Sequence, residues 1–154
     1  MAFGKAELLD YMRGHRLVVV GSVANDGSPQ SALVGIAVTP RHEVIFDTVS
    51  DSRKHANLER DGRASVVFSG PDEKTLQLEG TARLLSSDDA ADAELREIYY
   101  AAWPDGRDRL AWPKIAHWCI RPTWARYSDF DAGPLIQTFD WPPVLIPSGR
   151  EFVP

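Results

Sequence analysis

The chain has little sulfur chemistry available to it. Of its 154 residues only Cys119 is a cysteine, so no intrachain disulfide forms and stability must come from a packed core. A single thiol also fits a reducing compartment. Long apolar runs are missing as well: none approaches the ~20 residues that a membrane helix needs. Residues 1–10 lack the charged-then-apolar order of a secretory leader, so a soluble, cytoplasmic protein without a membrane partner is expected. There is no basic excess. A formal charge of -5 argues against nucleic acid as a partner, because a basic face is its electrostatic requirement. The four histidines stand at 15, 42, 55 and 117, with no spacing that would gather them around a metal. Repeats and low-complexity blocks are absent from the sequence.

What is present is a succession of short strand signals. Residues 17–24 are rich in β-branched side chains. Asn25-Asp26-Gly27-Ser28 is a turn, and the chain resumes as a second strand over 29–39, which predicts a hairpin. Further strands are expected at 44–48, 64–68, 75–85 and 115–121. The last continues over 123–127 past Pro122, which marks a bend or an edge position. In the fifth strand Leu76, Leu78 and Gly80 share one face, and Thr75, Gln77, Glu79 and Thr81 the other. Helical spacing is found over 5–14, 52–60 and 88–102. This pattern predicts a mainly β fold, a six-stranded antiparallel β-barrel with flanking helices, with a sandwich as the alternative. Residues 1–130 read as one domain and residues 131–154 as a Pro-rich arm carrying Pro134, Pro142, Pro143, Pro147 and Pro154. Leu135, Ile136, Phe139, Trp141, Val144, Leu145 and Ile146 are too apolar for a solvated arm, and are expected to pack on the domain or on a partner subunit.

The second helix breaks an electrostatic rule. Arg53 and Lys54 stand in its first turn, where the helix dipole favours acids by roughly 0.3–1 kcal/mol per charge. The third helix obeys the rule, opening on Asp88 and Asp89. Free N–H groups together with two cations at a helix N-terminus suit an anion, and phosphate is the usual one. Thr48 places a hydroxyl at the preceding strand end, Ser52 stands at the helix start, and Asn57 lies one turn beyond Arg53 on its face. Cys119, in a strand beside Trp118, reads as a buried and inert thiol.

Phe46-Asp47-Thr48, four residues, Arg53-Lys54 and then Asn57-Leu58, with Gly80 inside Leu78-Glu79-Gly80-Thr81-Ala82 as a second anchor, resemble the pyridoxamine 5'-phosphate oxidase-like family of FMN-binding split β-barrels. The likeness covers residues 17–85, and more loosely extends to 127. It implies FMN, bound between the two subunits of a homodimer. It implies that Arg53 and Lys54 hold the flavin phosphate and that Ser31, Ala32, Leu33 and Val34, up to Gly35, run along the isoalloxazine, largely by backbone groups. Asp47 and Thr48 match a pair near the ring and ribityl chain, with Ser52 and Asn57 beside them. Thr75 or Gln77 would reach in from the partner's fifth strand, and Trp124 and Arg126 would approach the flavin from the end of the barrel. The arginine–histidine pair with which the oxidase proper holds pyridoxine is not repeated between 128 and 154, so the resemblance does not carry that substrate with it.

The function expected on these grounds is an FMN-dependent oxidoreductase acting on a small molecule, with flavin chemistry positioned by the protein. No pair of side chains demands an acid–base role. The alternatives are a non-catalytic flavin or haem carrier and a deazaflavin-dependent reductase.

Overall fold

The structure is a computed structural model that describes residues 3–131 and 133–146. Helix α1 (Lys5–Arg13) buries Leu8 and Met12, one turn apart, while the Glu7 carboxylate accepts from the Gly4 N–H at its start. Strand β1 (Leu17–Val23) turns Val18, Val20 and Ser22 inward and leaves Leu17 and Val19 outside. It joins β2 (Pro29–Gly35) in the predicted hairpin, where Gly27 takes φ +87° and the Asp26 carboxylate accepts from the Ser28 N–H.

The predicted strand over 29–39 is two strands, because Ile36 leaves the ladder. Its N–H donates to Arg16 O, and its carbonyl accepts from the Trp103 indole N–H at 2.9 Å. Gly35 permits the indole to approach, since a Cβ there would lie 2.6 Å from the ring. Beyond that break β3 (Ala37–Val38) pairs with β4 (Val44–Val49).

Helix α2 (Arg53–Arg60) follows, and then β5 (Arg63–Ser69) and β6 (Lys74–Leu84). In β6 Leu76, Leu78, Gly80 and Ala82 alternate inward, as the pattern predicts. Helix α3 (Ala90–Ala102) and two short 3-10 turns lead into β7 (Ile115–Asp129). Pro122 does not end β7. The register against β6 shifts between Glu79 and Gly80, so that Thr123 is extra and Pro122 sits at a bulge, where its missing N–H is tolerated. Gly80 is required here for close approach, as a Cβ would lie 2.4 Å from Arg121 O.

All pairings are antiparallel, in the order β2-β1-β5-β6-β7-β4-β3, and the sheet curls into a split half-barrel flanked by the helices. The barrel expected from the sequence is therefore present, but with nine strands among the described residues in place of six. One extra strand comes from the break at Ile36. Two more come from the Pro-rich segment, where β8 (Leu135–Asp140) pairs with β7, and β9 (Val144–Ile146) pairs with β8. Phe139 lies in the main core, with Leu135 and Trp141 packed against it. The expected packing of the Val144, Leu145 and Ile146 side chains, and everything from Pro147 to Pro154, falls outside the described residues.

The main core gathers Phe46, Phe68, Leu76, Leu78, Trp118 and Ile120 inside the barrel, closed at one end by Leu8 and Met12 of α1. A second cluster, Ile45, Cys119, Tyr99 and Tyr100, joins α3 to the sheet. The outer sheet face carries an apolar row with no packing partner among the described residues. Leu33, Val19 and Val67 stand side by side in register and are 66%, 39% and 40% exposed, with Gln77 and then Arg126 next in the same row.

Candidate functional site

The site grows from the N-terminus of α2. Ser52 caps the helix, its hydroxyl accepting from the His55 N–H at 3.3 Å, and Thr48 Oγ1 lies 3.0 Å from the same oxygen. The first turn contains no acid. Arg53 and Lys54 project instead into a cavity of about 240 Å³ that they line with Val20, Ser22, Gln30, Ser31 and Ala32. The helix start, the β1–β2 hairpin and both cations therefore converge on one hollow.

Polar contacts hold this hollow in shape from below. Asn57 is buried, and its amide nitrogen donates to Ser22 Oγ at 3.0 Å and to Gln30 Oε1 at 2.8 Å. Arg53 Nε donates to the same Gln30 oxygen at 3.1 Å, which leaves its terminal nitrogens for a ligand. Lys54 makes no ion pair among the described residues. Burial lowers the pKa of its ammonium, and Asp47 acts in the opposite direction. A partly desolvated cation at a helix N-terminus is relieved when an anion binds.

The backbone adds a second component. Among the described residues β2 is the terminal strand of the sheet, hydrogen-bonded only to β1. Its other edge presents the peptide groups of residues 31–35 without a ladder partner. Leu33 points outward, while Val34 is buried.

The structure separates the sequence-predicted residues into three groups. Ser31, Ala32, Arg53 and Lys54 line the α2 cavity, while Thr48, Ser52 and Asn57 hold its frame. Thr75, Gln77 and Trp124 line a different, shallow groove on the outer face, with Val67 and Glu79. Arg126 lies over the Trp124 ring at 5.4 Å, and its buried Nε has no hydrogen-bond partner among the described residues. Asp47 stands apart from both. Its carboxylate accepts from Arg109 Nε at 2.7 Å, and Arg109 also bonds Asp105 and the Tyr99 hydroxyl. Burial is the largest single influence on Arg109 and opposes its charge, but the bonds to Asp47 and Asp105 and the nearby Tyr99 and Asp47 charges together raise the guanidinium pKa.

Sequence reasoning missed Ser22, Gln30 and Arg109. Ser22 and Gln30 leave a signal, as a polar pair facing each other across a mostly apolar hairpin. Arg109 leaves none, being 62 residues from its partner. His55 turns away from the cavity into the core, where Nδ1 accepts from the Trp118 indole at 3.1 Å. No group of His, Cys, Asp and Glu among the described residues could hold a metal ion, and no described helix is long and apolar enough to cross a membrane.

Comparison with known proteins follows the same lines. Residues 5–129 match the profile of a family described as pyridoxamine 5'-phosphate oxidase. No functionally curated protein matches the chain in sequence. Among solved structures, the chain is similar to a pyridoxamine 5'-phosphate oxidase-related, FMN-binding protein from Nostoc punctiforme PCC 73102. The identity is 15% and the TM-score 0.67, over 92% of this chain and 91% of that one. It is also similar to a haem-binding protein from Mycobacterium smegmatis, at 14% identity and a TM-score of 0.69, over 81% of this chain. There it spans about half, 52%, of the other protein's length. A haem storage protein from Vibrio cholerae matches at 12% identity and a TM-score of 0.66, over 77% of this chain and 89% of the other. At these identities the likeness is one of fold.

Proposed function

The chain belongs to the pyridoxamine 5'-phosphate oxidase family, and from that premise we propose that it binds FMN as a homodimer and serves as an oxidoreductase for a small molecule. The observation that carries this reading is the α2 cavity, where two cations and a helix N-terminus meet beside a free strand edge. Arg53 and Lys54 would hold the phosphate. The peptide groups of Ser31 to Gly35 would face the flavin ring, and Ser22, Gln30 and Asn57 would keep the phosphate end rigid. The bound flavin would supply hydride and electron transfer, which no side chain of this site provides. The residues themselves bind and orient: they neutralise the phosphate, exclude water from it and fix the ring against β2.

The homodimer is supported by the outer face. Thr75, Gln77 and Trp124 lie away from the α2 cavity of their own chain, so a second copy facing the apolar row would bring them toward the flavin. The unpartnered Arg126 Nε belongs to the same face.

Haem is the other group named among the structural neighbours. Among the described residues the α2 cavity is lined by no histidine, cysteine or methionine, the side chains that usually ligate haem iron, and its two cations suit a phosphate better. The test is the visible spectrum of purified protein after dialysis with FMN. A retained flavin spectrum is expected, and the variant Arg53→Ala with Lys54→Ala should weaken FMN binding by about a hundredfold or more while leaving the fold intact. Equal retention in that variant rejects the phosphate assignment, and a Soret band in place of the flavin spectrum rejects FMN. Turnover of the reduced flavin with oxygen, quinones or nicotinamides then separates an enzyme from a carrier.

A further inference from the structure

A larger cavity, of about 600 Å³, lies elsewhere in the fold and takes no part in the site above. Lys5 at the start of α1, Arg41, His42 and Glu43 in the β3–β4 turn, Arg121 on β7 and Trp141 after β8 line it, together with four prolines. We propose that it is a second ligand site, and that it takes a small planar organic anion of the aromatic carboxylate class.

The walls are flat and apolar. The prolines are Pro40, Pro122, Pro142 and Pro143, and Trp141 is half-buried against the core. Rigid rings on several sides favour a planar apolar body over a flexible or strongly hydrated one. The volume lies within the range of roughly 300–1,000 Å³ usual for small-molecule sites.

The charge at the rim is positive on a chain whose net charge is -5. Lys5, Arg41 and Arg121 are exposed, and neither Lys5 nor Arg41 makes an ion pair among the described residues. Glu43, the single acid of the lining, is already committed. It is buried, accepts from Thr39 Oγ1 at 3.2 Å and from the Cys119 thiol at 3.7 Å, and lies 4.0 Å from Arg121 Nε. The carboxylate therefore stabilises the floor and, of the rim cations, touches only Arg121 at Nε, which leaves Lys5, Arg41 and the terminal nitrogens of Arg121 for an incoming anion.

Two local distortions shape the cavity. His42 adopts φ +65°, an uncommon conformation for a residue with a side chain. Its imidazole, 1% exposed, stands perpendicular to the Trp141 ring with the centroids 5.8 Å apart, and Nε2 lies 3.1 Å from Lys5 O. The β7 bulge at Pro122 and Thr123 bends the opposite wall, and such bulges often re-aim side chains beside functional sites. The cavity and the α2 cavity lie at opposite ends of β4, whose six residues (Val44–Val49) span about 17 Å. The two sites can therefore be loaded separately.

The experiment is calorimetric titration of the FMN-treated full chain with 2-naphthoate, compared with its neutral analogue 2-naphthamide. Saturable binding of one naphthoate per chain is expected, at least about tenfold tighter than the amide, because a charge-assisted contact is lost in the latter. Arg41→Gln with Arg121→Gln should weaken naphthoate by about tenfold or more. Both side chains are exposed, so circular dichroism should show an intact fold. Trp141→Phe should retain binding, and Trp141→Ala should lose most of it. Arg53→Ala with Lys54→Ala should leave naphthoate binding unchanged even where flavin is lost, which keeps this proposal separate from the flavin assignment. The proposal is overturned by any of three results: no saturable binding at millimolar naphthoate, equal affinity for the amide, or binding that is lost with Arg53 and Lys54 but survives the Arg41 and Arg121 changes.

Discussion

His117 shows what burial does to a single titratable group. It stands opposite Asp47 in the β4–β7 register, edge to face with Tyr99 and Tyr100, each with its ring centroid 5.6 Å away, and its Nε2 is without a partner among the described residues. Burial lowers its pKa, and Asp47 pulls in the other direction but loses. His42 is lowered as well, again chiefly by burial. Above about pH 6.5, the ordinary histidine value, both the folded and unfolded states carry these rings neutral. Below it the unfolded chain takes up protons that the folded chain refuses, so stability falls as the pH falls toward the folded-state values. The slope is at most about 1.4 kcal/mol per pH unit for each such histidine. Thermal melts at pH 7.5 and pH 5.5 should therefore show the lower midpoint at pH 5.5, and His117→Gln should flatten the difference. A midpoint independent of pH across that window would count against both assignments.

At the scale of an element, α2 serves the fold and the site at once. Its buried face sends Leu58 into the core and its Asn57 holds the hairpin, while its first turn lines the cavity. Ser52 joins the two roles. Ser52→Ala removes the cap and should cost about 1 kcal/mol in denaturant unfolding. Ser52→Asp retains an N-cap acceptor and should keep most of the stability, but it sets a like charge against a bound phosphate and should weaken FMN binding. A variant equal to the parent in both measurements would show that the hydroxyl is neither cap nor neighbour of the anion. The cationic first turn was legible in the sequence because the dipole rule acts within one turn. The limits of other elements were not. The strand over 29–39 breaks at Ile36 because a tryptophan 67 residues away takes its carbonyl, and β7 passes Pro122 because a bulge against Gly80 accommodates it.

At the scale of the molecule, the apolar row of Leu33, Val19 and Val67 marks where a second chain would pack. Leu33→Asp is expected to shift the sedimentation of the protein from dimer to monomer and to reduce flavin retention with it. The side chain is 66% exposed, so the thermal midpoint of the separated chain should change little from side-chain burial alone. Unchanged sedimentation would remove this face from the proposed interface.

By itself the sequence determined the hairpin at Gly27, the alternation along β6, the acid-capped start of α3 and the cationic first turn of α2. Each depends on interactions spanning a few residues, so a local window contains its cause. Only the tertiary structure decided which polar rows reach a cavity. It placed Gln30 and Ser22 under Arg53, paired Arg109 with Asp47, and set Thr75 and Gln77 on the outer face. It also turned the Pro-rich segment into β8 and β9 and brought Trp141 against His42. These outcomes depend on register and chain crossing between distant segments, and neither periodicity nor propensity carries that information.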